Sequence, residues 1–124
     1  MEKYPIFSLN IQKDETNFKS VDEIIEHLKA LVISHPIATY ITIFDHYTHT
    51  KELEDSQMME GLQDAKNLLF CFGKQIPTTK VLAVRPRSIA VSEFCDSFTI
   101  DCMEAPNEQL HNVMTTWIKS IKSL

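Results

Sequence analysis

Glycine is scarce in this chain, whose 124 residues include only Gly61 and Gly73. A phosphate-binding loop needs glycines where the backbone approaches the phosphate, and a dinucleotide-binding fingerprint needs three of them at fixed spacing. Two isolated glycines therefore exclude both motifs. The sequence also lacks the G-x-S-x-G pattern that places a catalytic serine on a strand-to-helix turn. No cofactor is predicted.

The sequence is also poor in signals for export or membrane insertion. Its three cysteines, Cys71, Cys95 and Cys102, form no C-x-x-C pair, and no N-x-S/T acceptor occurs. The amino end lacks the basic start and apolar run of a secretory signal. The longest apolar run, residues 68–72, is far below the stretch of about 20 residues that a membrane helix requires. We therefore expect a cytoplasmic protein with reduced thiols and no membrane partner.

The composition is that of an ordinary folded domain. Hydrophobic residues make up 44% of the chain and charged residues 23%, with a formal net charge of −5. A chain of this length fits one domain and leaves little room for two. We therefore predict a single domain over residues 1–124.

Hydrophobic periodicity predicts the order strand, helix, four strands, helix. The first helix begins at a capping box that starts with Ser20, and it ends near His35 because Pro36 follows. The last helix begins at Pro106-Asn107, and its apolar stripe runs from Leu110 to Leu124. The predicted strands are residues 7–12, 38–46, 67–72, 88–94 and 98–104. An antiparallel sheet of about five strands with both helices on one face buries both apolar helix stripes, so the predicted class is α+β.

Three local features of this prediction are specific enough to be compared with a structure. A short helix is possible around residues 53–62, whereas residues 76–84 fit either a short helix or extended chain. Asp96-Ser97 is the expected turn of the last hairpin. That turn would place Val91 opposite Cys102 and put Cys95 on the apolar face.

A resemblance accompanies this pattern from about residue 38 to residue 104. Its motifs are Ile43-Phe44-Asp45-His46, then Leu69-Phe70-Cys71-Phe72-Gly73 followed by Pro77, and then Pro86 with the closing hairpin up to Glu104. In these motifs the chain resembles the family called domain of unknown function 302. The resemblance implies a β-α-β4-α fold of the TATA-binding-protein-like type and a homodimer. It implies no activity, since fold alone does not determine function.

Charge is distributed unevenly along the sequence. No acidic residue lies between Asp64 and Glu93, but that stretch contains five cations: Lys66, Lys74, Lys80, Arg85 and Arg87. The stretch therefore carries +5, and the rest of the chain carries −10. We predict that Lys74, Lys80, Arg85, Arg87 and His46 contribute to a site for a carboxylate or phosphate ligand, because arginine forks onto such groups. Two other interpretations are a solvated loop and pairing with the acidic residues of a second subunit.

Histidines and one cysteine provide the competing interpretation. His46 and His49 lie close together in a polar stretch with several carboxylates, which are metal ligands when they converge. Cys71 would be an activated thiol if His46 reached it across neighbouring strands. The alternative prediction is therefore a metal- or thiol-dependent enzyme or redox protein. For Cys71, packing as a small hydrophobe is the simpler interpretation.

Together these observations favour a non-catalytic homodimer that binds a small anionic ligand or a protein partner. Nucleic acid is not predicted as a partner. Five scattered cations on an acidic protein give a small electrostatic footprint, and no aromatic platform for bases is recognisable.

Overall fold

The computed structural model describes residues 5–123, which form one antiparallel sheet and three helices. Two 3₁₀ turns, Lys13–Glu15 and Thr79–Ala83, lie in the connections. The strands are β1 (Ile6–Gln12), β2 (Ala38–Phe44), β3 (Asp64–Phe72), β4 (Arg87–Glu93) and β5 (Ser97–Met103). The helices are α1 (Val21–Ser34), α2 (His46–Lys51) and α3 (Glu108–Lys119). The predicted α+β class with a five-stranded antiparallel sheet is confirmed.

The strand order across the sheet is β1-β5-β4-β3-β2, and every neighbouring pair is antiparallel. Consequently β1 and β2 run in the same direction at opposite edges, and α1 connects them across one face. This is the topology expected for a β-α-β4-α fold, so the sheet is consistent with a TATA-binding-protein-like or ferredoxin-like arrangement.

Helices α1 and α3 begin and pack as their sequences indicate. The Ser20 hydroxyl accepts the Glu23 N–H at 3.1 Å, and the Asn107 side chain accepts the Leu110 N–H at 3.1 Å. The buried stripe of α3 includes Trp117, whose ring stacks on Phe72 at 5.8 Å between centroids. Burial of these apolar stripes against the sheet is the main source of stability. Leu124, which the sequence adds to the α3 stripe, lies outside the described residues.

The polar connection after β2 folds differently from the expectation. The helix there is α2, rather than a helix over residues 53–62, because Asp45 supplies an effective amino-terminal cap. Its carboxylate accepts both the N–H and the hydroxyl of Thr48 at 3.0 Å. The Thr48 N–H bond contributes most to holding the pKa of Asp45 below its usual value. These bonds end β2 at Phe44, two residues earlier than predicted.

The last hairpin has a different register from the predicted one. Val91 lies opposite Ile100 rather than Cys102, and the Phe94 N–H donates to the Ser97 carbonyl at 2.8 Å to close the turn. A shift of two positions leaves each strand residue on the same face. Val91, Ile100 and Cys102 are therefore buried as expected, whereas Cys95 lies in the turn and is exposed.

The second face of the sheet is not covered by α1 or α3. It carries mostly short and polar side chains, such as Asn67, Ser88, Ala90 and Asp101, which alternate with the buried residues of the same strands. We call this the open face. Helix α2 reaches it only at its edge, near Asn67.

Candidate functional site

A shallow cleft of about 360 Å³ lies in the basic segment, at the carboxyl end of β3. We call it the Gly73 cleft. The Gly73 N–H donates to the Ile37 carbonyl at 2.8 Å, which ties the loop after β3 to the residue preceding β2. The residues lining the cleft are Ile37, Gly73, Lys74, Gln75, Pro77 and Arg85.

Arg85 is held in a defined position in this cleft. Its Nη1 donates to the Gln75 carbonyl at 2.7 Å. Gly73 has φ of +94°, and a β-carbon there would lie 2.8 Å from Arg85 Nη2, so glycine provides both the turn and the space for the guanidinium. The Nη2 and Nε groups of Arg85 make no hydrogen bond within residues 5–123. They remain available as donors to a planar anion.

Two lysines accompany Arg85 in the same loop. Lys74 lines the cleft, whereas Lys80 lies on the 3₁₀ turn Thr79–Ala83 outside the lining. Both are exposed, and the ion pairs found among the described residues do not include either of them. The cleft therefore has a net positive charge that no carboxylate of the described chain neutralises.

The remaining cations of the basic segment lie elsewhere. Lys66, at the amino end of β3, pairs with Asp22 of α1, and the Asp22 hydrogen bond raises the pKa of Lys66. Arg87 is only 8% exposed and donates to the carbonyls of Met103 and Val84. Burial lowers the pKa of Arg87, and its Nε has no hydrogen-bond partner among residues 5–123. The fold thus brings Lys74 and Arg85 together and separates Arg87 from them.

His46 also lies away from the cleft, at the edge of the open face. Its Nδ1–H donates to Asn67 Oδ1 at 3.0 Å, and Asn67 Nδ2 donates to Ser88 Oγ at 2.9 Å. These three side chains form a hydrogen-bonded chain across β3 and β4. His46 is therefore a neighbour of the open face and not of the basic loop.

A wider groove of about 640 Å³ crosses the open face beside that chain. Its floor includes Asn67, Ser88, Ala90 and Asp101, and Val84, Pro86, Met103 and Glu104 contribute to its walls. The volume suits a small ligand. However, the amide of Asn67 is already bonded to its protein neighbours, and the charges that line the groove are mixed. Asp101 and Glu104 are acidic, whereas Arg87 is a buried cation that donates to the carbonyls of Val84 and Met103. This groove is therefore less suited to an anion than the Gly73 cleft, which is lined by Lys74 and Arg85 and by no carboxylate among residues 5–123.

The residues of the competing hypothesis are not brought together. Cys71 and Asn67 share the open face of β3 but lie four residues apart, about 13 Å along a strand, and His46 is bonded to Asn67. The Cys71 thiol donates to the Phe72 carbonyl at 3.6 Å. His46 and His49 each pack against the Phe44 ring, at 4.9 and 5.2 Å between centroids. Residues 5–123 hold no group of three or more His, Cys, Asp or Glu side chains that converge for a metal.

Cys102 is the thiol most affected by its surroundings. It is 4% exposed, and burial raises its pKa to about 11 although Arg87 nearby acts in the opposite direction. A thiol with that pKa is almost entirely protonated at neutral pH and is a poor nucleophile.

Sequence reasoning missed two parts of this surface. The roles of Gln75 and Ile37 come from their backbone carbonyls, which any residue type carries, so no sequence signal marks them. The second part is an acidic segment, Glu52–Glu60, whose four carboxylates in nine residues do form a visible signal. Exposed Leu53 and Met59 accompany those charges.

The fold and the cleft define a small α+β domain with a compact basic loop beside its sheet. Within the part of the chain that the structure describes, every helix is too short or too polar to cross a membrane. The chain belongs to the family of unknown function DUF6858, whose model matches residues 1–123. This match does not confirm the resemblance to the domain of unknown function 302. No curated protein and no solved structure matches the chain.

Proposed function

We propose that this protein is a non-catalytic binding module that takes a small anionic ligand in the Gly73 cleft. The observation that carries the proposal is the fixed Arg85 guanidinium, anchored to the Gln75 carbonyl and seated against Gly73. A side chain that is already positioned loses less conformational entropy when a ligand binds.

The chemistry of the donors favours a carboxylate or a phosphate. Guanidinium groups match the paired oxygens of these anions, and a neighbouring ammonium such as that of Lys74 adds charge without demanding one geometry. The same donors suit the carboxylates of a protein partner. Lys80 lies in the same loop and contributes to the local positive field.

Binding without catalysis is favoured by the arrangement of the reactive side chains. Nucleophilic catalysis requires a base within hydrogen-bonding reach of the nucleophile. His46 instead donates to Asn67, and Cys102 has a raised pKa of about 11. We also propose a cytoplasmic location, which is supported by the free state of Cys71, Cys95 and Cys102.

Isothermal titration calorimetry with citrate and with inorganic phosphate, at low salt, tests this function. We expect Arg85→Gln to weaken binding about tenfold or more, equivalent to about 1.4 kcal/mol, and Lys74→Gln to weaken it less. Lys119→Gln is the matched control, because Lys119 is an exposed lysine in the last turn of α3. If neither anion binds, or if all three variants bind equally well, the proposed site is wrong.

A further inference from the structure

The acidic segment Glu52–Glu60 and the basic loop lie at opposite ends of β3. The acidic segment precedes β3 and the loop 73–86 follows it, so the two are separated by nine strand residues, about 30 Å. One contains Glu52, Glu54, Asp55 and Glu60 without a cation, and the other contains Lys74, Lys80 and Arg85 without an acid. The two segments are opposite in charge and too far apart to meet within one copy.

Both segments are also unpaired and partly apolar. The ion pairs among residues 5–123 are Lys13–Glu93, Lys66–Asp22 and Lys122–Glu15, which leaves the charges of both segments without partners. Large apolar side chains stand exposed beside those charges. In the acidic segment Leu53 is 52% exposed and Met59 is 69% exposed, and at the basic end Ile76 is 68% exposed and Ile37 is 37% exposed. Each surface therefore has exposed apolar side chains that association with a partner would bury.

A two-fold axis brings these surfaces together. If the axis is perpendicular to β3, the second copy runs in the opposite direction, and the acidic end of each copy lies beside the basic end of the other. Both contacts form at once, so the assembly closes as a dimer rather than growing into a fibre.

We infer that the chain forms a symmetric homodimer in which Glu52–Glu60 of each copy docks on the Gly73 cleft of the other. The inference rests on the proposed function, because the docked carboxylates occupy the anion position beside Lys74 and Arg85. Leu53 and Met59 cover Ile37 and Ile76. Exposed ion pairs are individually weak and screened by salt, so the dimer gains affinity from the apolar contacts and weakens as salt rises.

Charge reversal in two separate variants gives a sharp test by sedimentation velocity of the full chain. One variant carries Lys74→Glu and Arg85→Glu, and the other carries Glu54→Lys and Glu60→Lys. Asp55 is left unchanged because its φ of 59° favours Asp over Lys. Each variant alone loses the charge attraction at both contacts, because the loop 73–86 of the first becomes −1 against −4 and the acidic segment of the second becomes neutral against +3. We expect its dimer dissociation constant to rise about tenfold or more.

Mixing the two variants in equal amounts restores one contact between an unmodified acidic segment and an unmodified basic loop, and it places the introduced glutamates opposite the introduced lysines at the other contact. We therefore expect a heterodimer that is about tenfold or more tighter than the homodimer of either variant. Lys119→Glu and Glu26→Lys are the matched controls, since both residues are exposed and lie outside the two segments. The inference is overturned if the unmodified chain stays monomeric up to about 0.5 mM. It is also overturned if neither charge-reversal variant changes the dimer dissociation constant, or if the mixed variants dimerise no more tightly than each variant alone.

Citrate titration of the Glu54→Lys, Glu60→Lys variant separates this inference from the proposed function. That variant keeps the Gly73 cleft intact and removes two of the four competing carboxylates. Citrate binding by this variant, with no dimer of the unmodified chain, would overturn the inference and leave the anion site standing. A dimer that follows the charge-reversal pattern, with no citrate binding, would support the docking and reject a small ligand.

Discussion

The two faces of the sheet use neighbouring residues of the same strands for different purposes. On β3, Leu68 and Phe70 are fully buried beneath the helices, whereas Asn67, Leu69 and Cys71 lie half-buried on the open face. The covered face is a packed apolar core. The open face is mostly short and polar, and its hydrogen bonds run from one side chain to the next.

This difference indicates where the candidate function is located. The covered face stabilises the fold and exposes little that a ligand can contact. The groove of the open face carries the acidic charges of Asp101 and Glu104 beside the buried cation Arg87. Lys74, Lys80 and Arg85, which form no ion pair among residues 5–123, lie in the loop beyond the end of β3, where Gly73 and Arg85 meet. The proposed binding surface thus belongs to a connection that the rigid sheet positions.

The largest effect is expected from a matched pair of substitutions on adjacent β3 residues. Leu68→Ala opens a cavity in the core and should lower the free energy of unfolding by about 2–5 kcal/mol. Leu69→Ala should lower it by only about 1 kcal/mol, because Leu69 is half-buried on the open face. Urea unfolding measures both losses in the free energy of unfolding. The slope of that free energy against urea concentration should be the same in both variants and in the unmodified chain. Equal losses would mean that the two faces do not differ in the way described.

A smaller effect on stability is expected from Gly73→Ala. An alanine at φ of +94° costs about 1–2 kcal/mol, and its β-carbon would displace the guanidinium from beside Gly73. We therefore expect weaker citrate binding although no charge is removed. Gly61→Ala is the control, because Gly61 also has positive φ, at +83°, but lies away from the cleft. Equal citrate affinity in both variants would show that Gly73 does not position Arg85.

The smallest effect on the fold is expected from labelling the thiols. At pH 8 a thiol reagent should react first with exposed Cys95 and then with half-buried Cys71 on the open face. Cys102 should stay unmodified in the folded protein, because it is buried and its thiolate becomes abundant only as the pH approaches its pKa of about 11. Mass spectrometry of digested samples gives the order. Labelling of Cys102 before Cys71 would contradict the burial of Cys102 on the covered face.

Much of the covered face could be predicted from the sequence. The periodicity of α1 and α3 directly reflects which side of each helix is buried, and Ser20 and Asn107 both act as the expected caps. The predicted hairpin register is wrong by two positions. Because the error is even, only the turn was affected, and Cys95 moved from the predicted apolar face to the surface.

The candidate site is harder to predict than the core, because a run of charged residues in the sequence does not show where the fold places each side chain. The basic run was visible, but β3 places Lys66 and Lys74 at opposite ends of the strand. Arg87 is buried, and its guanidinium donates to the backbone carbonyls of Val84 and Met103. The carbonyl of Gln75, which holds Arg85, belongs to the backbone and leaves no trace in residue type. The sequence therefore predicts the basic segment and two residues of the Gly73 cleft, Lys74 and Arg85. The cleft itself can be located only in the folded structure.

The central claim is that the charged loops at the two ends of β3, and not the open face, form the interaction surface. Amide chemical shifts of the isotope-labelled full chain, recorded at increasing protein concentration, test it most directly. We predict concentration-dependent shifts in residues 52–60 and 73–86 together, reduced by added salt. Shifts confined to Ser88, Ala90 and Asp101 on the open face would contradict the claim.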